Sequence, residues 1–175
     1  VRGSLPSAEG DCVMDAIRWG REVLEAESQS LLGAAKRLDS RFSEAVRCIL
    51  DTKGKVVVAG LGKSGHVARK IAATFASTGT AAFFLHPSEA LHGDLGMLQS
   101  KDVLIAIAFG GETRETLAVA AFARRNAIPV IAICGRAASS LAQLADFFID
   151  GSVEREACPL NLAPTSSTTV AMALG

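Results

Sequence analysis

From Lys55 onward the chain alternates between short apolar runs and longer amphipathic segments. The runs 55–59 (KVVVA), 81–85 (AAFFL), 103–108 (VLIAIA), 129–133 (PVIAI) and 146–149 (DFFI) are nearly continuously apolar. That is the pattern of parallel strands covered on both faces, where no side of the strand is free to be polar. The intervening segments 64–78, 113–127 and 139–145 read as helices. Strand, loop and helix in repetition predict an α/β domain, a three-layer doubly wound five-stranded parallel sheet.

Upstream the period changes. Between Cys12 and Leu38 the residues Val13, Ile17, Val23, Leu24, Leu31 and Leu38 form an apolar stripe near helical spacing. It has more apolar surface than a covering helix needs, so it is expected at a subunit interface. A second helix is predicted over "DSRFSEAVRCILDTKG", capped by Asp39 or Ser40, burying Phe42, Val46 and Ile49 and ending by Gly54. Residues 1–11 read as a flexible leader without the apolar core of a signal peptide. The helix begun by "APTSSTTVAMALG" stops at Gly175 within about two turns, as a helix cut short would.

Composition narrows the function. Eighteen basic and eighteen acidic groups cancel, and no block of like charge occurs, which argues against a nucleic-acid or membrane-surface partner. No apolar run is long enough to span a bilayer. Cys12, Cys48, Cys134 and Cys158 are widely spaced and form no C-x-x-C pair, as expected of small core residues in a reducing cytoplasm. His66, His86 and His92 have no metal-ligand spacing, so no metal site is predicted.

In a doubly wound sheet, ligands bind where strands end at their carboxyl side, which directs attention to five loops. The first, "GLGKSGH" (60–66), fits G-x-G-x-x-G and contains G-K-S. A full P-loop needs glycine where Val57 stands, inside a strand. A dinucleotide fold needs an acid near the end of the second strand, where His86-Pro87-Ser88 occur and Glu89 comes late. What remains is a glycine turn feeding a helix N-terminus, suited to an anion, with Ser64 as a hydroxyl donor or N-cap and Lys63 at the mouth.

The second loop, "HPSEALHGDLG", carries His86 and His92; Ser88 is a candidate cap for a short helix there. The third, "FGGETRET", opens another helix with Gly110, Gly111, Glu112, Thr113 and Glu115. The fourth holds Glu154 and Glu156 before a proline-bracketed turn, then Thr165, Ser166, Ser167, Thr168 and Thr169. One hydroxyl suffices for a cap; five imply an uncharged anion cradle or a crowded helix contact. Glycine turns, hydroxyls, a lysine and carboxylates suit a small phosphorylated sugar better than a nucleotide.

The stretches "GLGKSGHVARKIAATFASTGTAAFFLHPSEALHGDLGML", "GGETRE" and "CPLNLAPTSSTT" resemble the SIS (sugar isomerase) domain of arabinose-5-phosphate isomerases, and the likeness runs from about residue 12 to the end. The resemblance implies a flavodoxin-like fold, a homotetramer, and interconversion of D-ribulose 5-phosphate and D-arabinose 5-phosphate on the way to Kdo and lipopolysaccharide. It implies no metal or organic cofactor. By motif position Lys63 would contact substrate, and His92, Glu115 and Glu156 would complete the catalytic set. Either glutamate is then the base, His92 a proton carrier or ring-opening residue, and Lys63 an electrostatic partner. Gly62, Ser64, Gly65, His86, Gly111, Thr113, Thr165, Ser166, Ser167 and Thr168 are expected on the substrate and its phosphate.

Two departures stand out. Ala108, Phe109 and Gly110 replace the hydroxyl-rich loop common in such domains. A further histidine and two CBS domains, implied by the resemblance, are expected beyond Gly175. A non-catalytic, sugar-phosphate-binding regulatory module is the alternative, although Lys63, Glu115 and Glu156 together argue against it. A nucleotide-binding domain lacks its ribose acid.

Overall fold

A computed structural model describes residues 9–175, with side chains from Asp15 onward. Five strands form one sheet: β1 (Val56–Gly60), β2 (Ala82–Leu85), β3 (Val103–Ile107), β4 (Val130–Cys134) and β5 (Phe147–Asp150). All neighbours run parallel in the order β2-β1-β3-β4-β5, so the doubly wound sheet expected from the apolar runs is present. Order reverses between β1 and β3, whose register pairs Gly60 with Ile107 at their carboxyl ends.

Among the described residues seven helices accompany the sheet: α1 (Glu9–Arg37), α2 (Ser40–Asp51), α3 (Lys63–Ser77), α4 (Pro87–Leu91), α5 (Arg114–Arg125), α6 (Ser140–Leu144) and α7 (Ser166–Leu174). A 3-10 turn spans Asp94–Met97. Because strand residues alternate faces, β1 sends Val57 and Ala59 into one core with Val119, Ala120 and Leu141 of α5 and α6. Val56 and Val58 enter the other, with Ile71 of α3, Ala45 of α2 and Ala171 of α7. Every residue of β1, β3 and β4 is buried, which explains why those runs carry no polar side chain.

Two acids, one buried and one exposed, fix the strand entrances. Asp102 is buried and accepts the backbone N–H of Lys55 at 2.8 Å and of Gln99 at 2.9 Å, tying the starts of β1 and β3. Asp146 does the same for β4, accepting Val130 N–H at 2.8 Å while its own N–H donates to Val130 O at 2.9 Å.

Several sequence boundaries shift. Helix α1 begins at Glu9, inside the segment read as a leader; residues 1–8 lie outside the described residues, as do the side chains of Cys12 and Val13. Of its stripe, Ile17, Val23, Leu24 and, just past the helix, Leu38 remain exposed, and only Leu31 is half-buried. Asp39 caps α2 through Arg41 N–H, as predicted, but Val46 is exposed and the helix closes at Thr52, before Gly54. Ser88 does not cap α4: His86 holds the N-cap position and Pro87 follows at N1, where its missing N–H costs nothing.

Candidate functional site

The glycine turn after β1 is built by close approach. A Cβ on Gly60 would lie 2.7 Å from Ser64 O, and one on Gly65 would lie 2.8 Å from Gly60 O. Gly62 is the N-cap of α3 at φ 59°, in the left-handed region. That geometry displaces the cap from Ser64, which sits inside the first turn. Gly65 N–H turns back onto Gly62 O at 3.0 Å, whereas the N–H groups of Lys63 and Ser64 have no backbone acceptor and lie at the positive end of the helix dipole, by the switch point.

A cleft of about 450 Å³ opens there. Lys63, Ser64 and Val67 come from α3, Ile107 from the end of β3, and Phe109, Gly110 and Thr113 from the β3–α5 connection. Glu154, Arg155 and Glu156 come from the loop after β5, and Ser167, Thr168 and Ala171 from α7. Of the residues read from sequence, Lys63, Ser64, Thr113, Glu156, Ser167 and Thr168 therefore converge on one space. Thr113 is the N-cap of α5 and its hydroxyl makes no capping bond, so it is free to donate to a ligand. Arg155, not singled out beforehand, is the second cation of the lining; lying next to Glu156 in a loop, it gave no motif signal.

Part of the hydroxyl run takes the second of its two expected forms, a crowded helix contact, while Ser167 and Thr168 line the cleft. Glu156 already occupies that helix start. Its Oε2 accepts the N–H of Thr165 at 2.8 Å, the Thr165 hydroxyl at 3.0 Å and the N–H of Ser167 at 3.1 Å. A side-chain carboxylate thus does the work usually given to an N-cap oxygen. Burial, the largest single influence, pushes the Glu156 carboxyl up, but the bonds from Ser167 and Thr165 together outweigh it and hold the group below the usual carboxylate range. The hydroxyls of the three threonines are engaged within the protein. Thr165 Oγ1 accepts Ala157 N–H at 2.8 Å, Thr168 donates to Thr165 O, and Thr169 donates to Glu27 of α1. Ser166 is fully buried and does not line the cleft.

Other predicted residues lie apart from the cleft lining. Gly111 (φ 70°) is buried against Ser139, and its carbonyl accepts Leu141 N–H at 3.0 Å; it anchors α6. Gly62 and Gly65 shape the turn but do not line the space. His86 packs edge-on to Phe84 with Nδ1 buried and unpartnered, and it does not line the cleft. His92 is exposed at the C-cap of α4, and Glu115 is half-buried in the first turn of α5. Glu112 also has another task, accepting Ser140 N–H at 2.9 Å, and that bond holds its carboxyl below the usual range.

The loop bearing Glu154–Glu156 is tied to α1. Arg37 pairs through Nε with Asp150 at 3.2 Å and donates to Ser152 O, while Asp150 accepts Ser152 N–H at 2.9 Å. Among the described residues no cluster of three or more His, Cys, Asp or Glu could hold a metal ion, and no helix is long and apolar enough to cross a membrane.

Fold and cleft define a doubly wound α/β domain with a glycine turn at a helix N-terminus and cationic and carboxylate side chains lining one cleft at its switch point. The chain belongs to the SIS domain family, whose model matches residues 49–175. It is 50% identical over 156 residues to arabinose 5-phosphate isomerase KdsD of Salmonella typhi, covering 89% of this chain and 48% of that protein. It is 48% identical over 159 residues to arabinose 5-phosphate isomerase GutQ of Shigella flexneri, covering 91% of this chain and 50% of that one. The chain thus spans about half the length of the curated relatives it matches. Among solved structures, the c3406 protein of E. coli CFT073 in complex with arabinose 5-phosphate superimposes with a TM-score of 0.87 at 39% identity, covering 91% of this chain and 85% of that one.

Proposed function

We propose that the protein is an aldose–ketose isomerase interconverting D-ribulose 5-phosphate and D-arabinose 5-phosphate in the cytoplasm, as a homotetramer, supplying Kdo and lipopolysaccharide synthesis. The observation that carries this reading is the meeting of Lys63 and Glu156 in one cleft beside the free N-terminus of α3. The names of relatives at about half identity support the substrate, as does the neighbour solved in complex with arabinose 5-phosphate.

The phosphate is assigned to the α3 turn, Ser64 and Thr113. Of the two candidate bases, Glu156 lines the cleft and Glu115 does not. Glu156 takes the proton from C1 of ribulose 5-phosphate with the oxygen, Oε1, that is not engaged by Thr165 and Ser167. The electron pair moves into a C1–C2 enediolate whose O2 charge is stabilised by the Lys63 ammonium. Return of the proton to C2, with transfer of the O1 proton to O2, gives the aldose. His92, exposed and outside the lining, belongs to the part of the site that one copy alone does not enclose. The chemistry is acid–base throughout and calls for no metal or organic cofactor.

The test is turnover of ribulose 5-phosphate with Lys63→Ala and Glu156→Gln as controls, and Glu115→Gln alongside. Absence of arabinose 5-phosphate with the wild-type protein would sink the reading. The position of His92 and Glu115 outside the cleft favours a second reading, a regulatory domain that binds sugar phosphate without converting it; binding without turnover would select it.

A further inference from the structure

Of the eight phenylalanines, Phe109 alone is exposed, at 43%. It does not stand on an arbitrary surface: it lines the cleft where β3 ends, on the same wall as Gly110 and Thr113. Its placement is enforced. Phe109 O accepts Gly135 N–H at 2.8 Å, and the ring lies so close over Gly135 that a Cβ there would be 2.8 Å from Phe109 Cε2 and 3.1 Å from Cδ2. Backbone therefore supports one side of the ring, and its remaining surface stays open. The donors of the cleft suited to a phosphate, Lys63, Ser64 and Thr113, are polar, whereas Phe109 offers only carbon.

We infer that Phe109 is a specificity-determining residue that packs against the carbon chain of the bound sugar phosphate and takes no part in holding its phosphate. Small-ligand sites commonly combine an apolar wall with a few polar anchors, the wall supplying shape selection. An exposed aromatic has hydrophobic surface still to bury, and a ligand chain lying on it supplies that burial. Gly135 then has an indirect role: it leaves the space that lets the ring take its position. This inference rests on the reading of the cleft as a sugar-phosphate site.

Calorimetric titration of the protein separates the contributions. Arabinose 5-phosphate and inorganic phosphate are titrated into wild type, Phe109→Ala, Phe109→Leu, Gly135→Ala and the double variant Phe109→Ala/Gly135→Ala. For Phe109→Ala the Kd for arabinose 5-phosphate is expected to rise about tenfold, the lower end of what a small apolar contact discriminates. Inorganic phosphate, which has no carbon chain, should bind within about twofold of wild type. Phe109→Leu should fall between. Gly135→Ala should weaken sugar phosphate through the displaced ring, and the double variant should be no weaker than Phe109→Ala alone, a non-additivity that a merely structural glycine would not give. Unchanged sugar-phosphate affinity in Phe109→Ala overturns the inference. So does equal loss of both ligands, or a loss that tracks a change in oligomeric state by sedimentation, which would make the ring a subunit contact. Binding without turnover by the wild type would sink the isomerase reading and leave the assignment of Phe109 standing.

Discussion

Glu156 and Thr165 are joined twice: one carboxylate oxygen accepts both the backbone N–H of Thr165 at 2.8 Å and its hydroxyl at 3.0 Å. The same oxygen reaches Ser167 N–H, so the proposed base also caps α7. Glu156→Gln keeps an acceptor oxygen for these bonds but cannot take a proton. It is expected to lower kcat by about 10²–10⁴-fold with a smaller change in KM. Its stability signature is separate. The folded carboxyl titrates below its unfolded value of about 4.3. The stability it contributes is therefore full above that pH and is lost as pH falls through the lower folded value. The gap in Tm between wild type and Glu156→Gln should narrow as pH falls below the unfolded carboxyl value, as read by thermal melts. A gap that widens on acidification would contradict the cap.

Asp102 supports the sheet at its opposite end from the cleft. It accepts two backbone N–H groups and lies 3.4 Å from Lys55 Nζ while being almost wholly buried. Asp102→Ala orphans both donors where water is excluded, and a loss of about 3 kcal/mol is expected. Asp102→Asn, which can satisfy one donor, should lose about half of that. Urea midpoints at one fixed protein concentration measure both; a shift equal to that of an exposed carboxylate such as Glu44 would refute the assignment.

The sheet was legible because burial on both faces leaves a chemical trace in each strand: β1, β3 and β4 are buried throughout and apolar throughout. The part of Asp102 and Asp146 in holding the strand entrances was not legible, since they reach Lys55 and Val130 through space and not through local pattern. Local preference also misplaced the helix caps. A hydroxyl at Ser64 or Ser88 is a good cap by type, yet the left-handed Gly62 and the rigid His86-Pro87 pair set the actual starts of α3 and α4. The meeting of Lys63, Ser64 and Thr113 in one cleft was readable because they follow strand ends, which this architecture gathers at one edge of the sheet. The use of Glu156 as the cap of α7 was not, because its partners lie nine and eleven residues downstream across an irregular loop. Phe109 was visible only as a missing hydroxyl; its role as a held, exposed ring required Gly135, brought beside it by β3–β4 pairing.

Cysteine reactivity should separate three environments. Backbone N–H groups of Ala163, Leu162 and Leu160 favour the thiolate of Cys158 and hold its thiol below the usual range. Burial pushes Cys134 and Cys48 up. The thiolate is the nucleophile, so iodoacetamide at pH 7 should label Cys158 before Cys48 and well before buried Cys134. Peptide mass spectrometry over a time course reads the order. Equal rates at Cys158 and Cys48 would show that the loop amides do not stabilise the thiolate.

The single tryptophan reports on assembly. Trp19 is 51% exposed on α1, and Ile17 and Leu24 on the same helix are exposed as well. Helix α1 packs on α7, and these exposed apolar side chains, spread over more than one face of the helix, are surface that further copies can bury. In the proposed homotetramer Trp19 is buried by a neighbour. Its emission should then be blue-shifted at micromolar concentration and move to the red on dilution, in step with a fall in sedimentation coefficient. Leu24→Glu places a charge in that contact and should lower the assembly state while leaving the far-ultraviolet circular dichroism unchanged. An emission maximum that is solvent-exposed and independent of concentration, in a protein that still sediments as a tetramer, would move the interface away from α1.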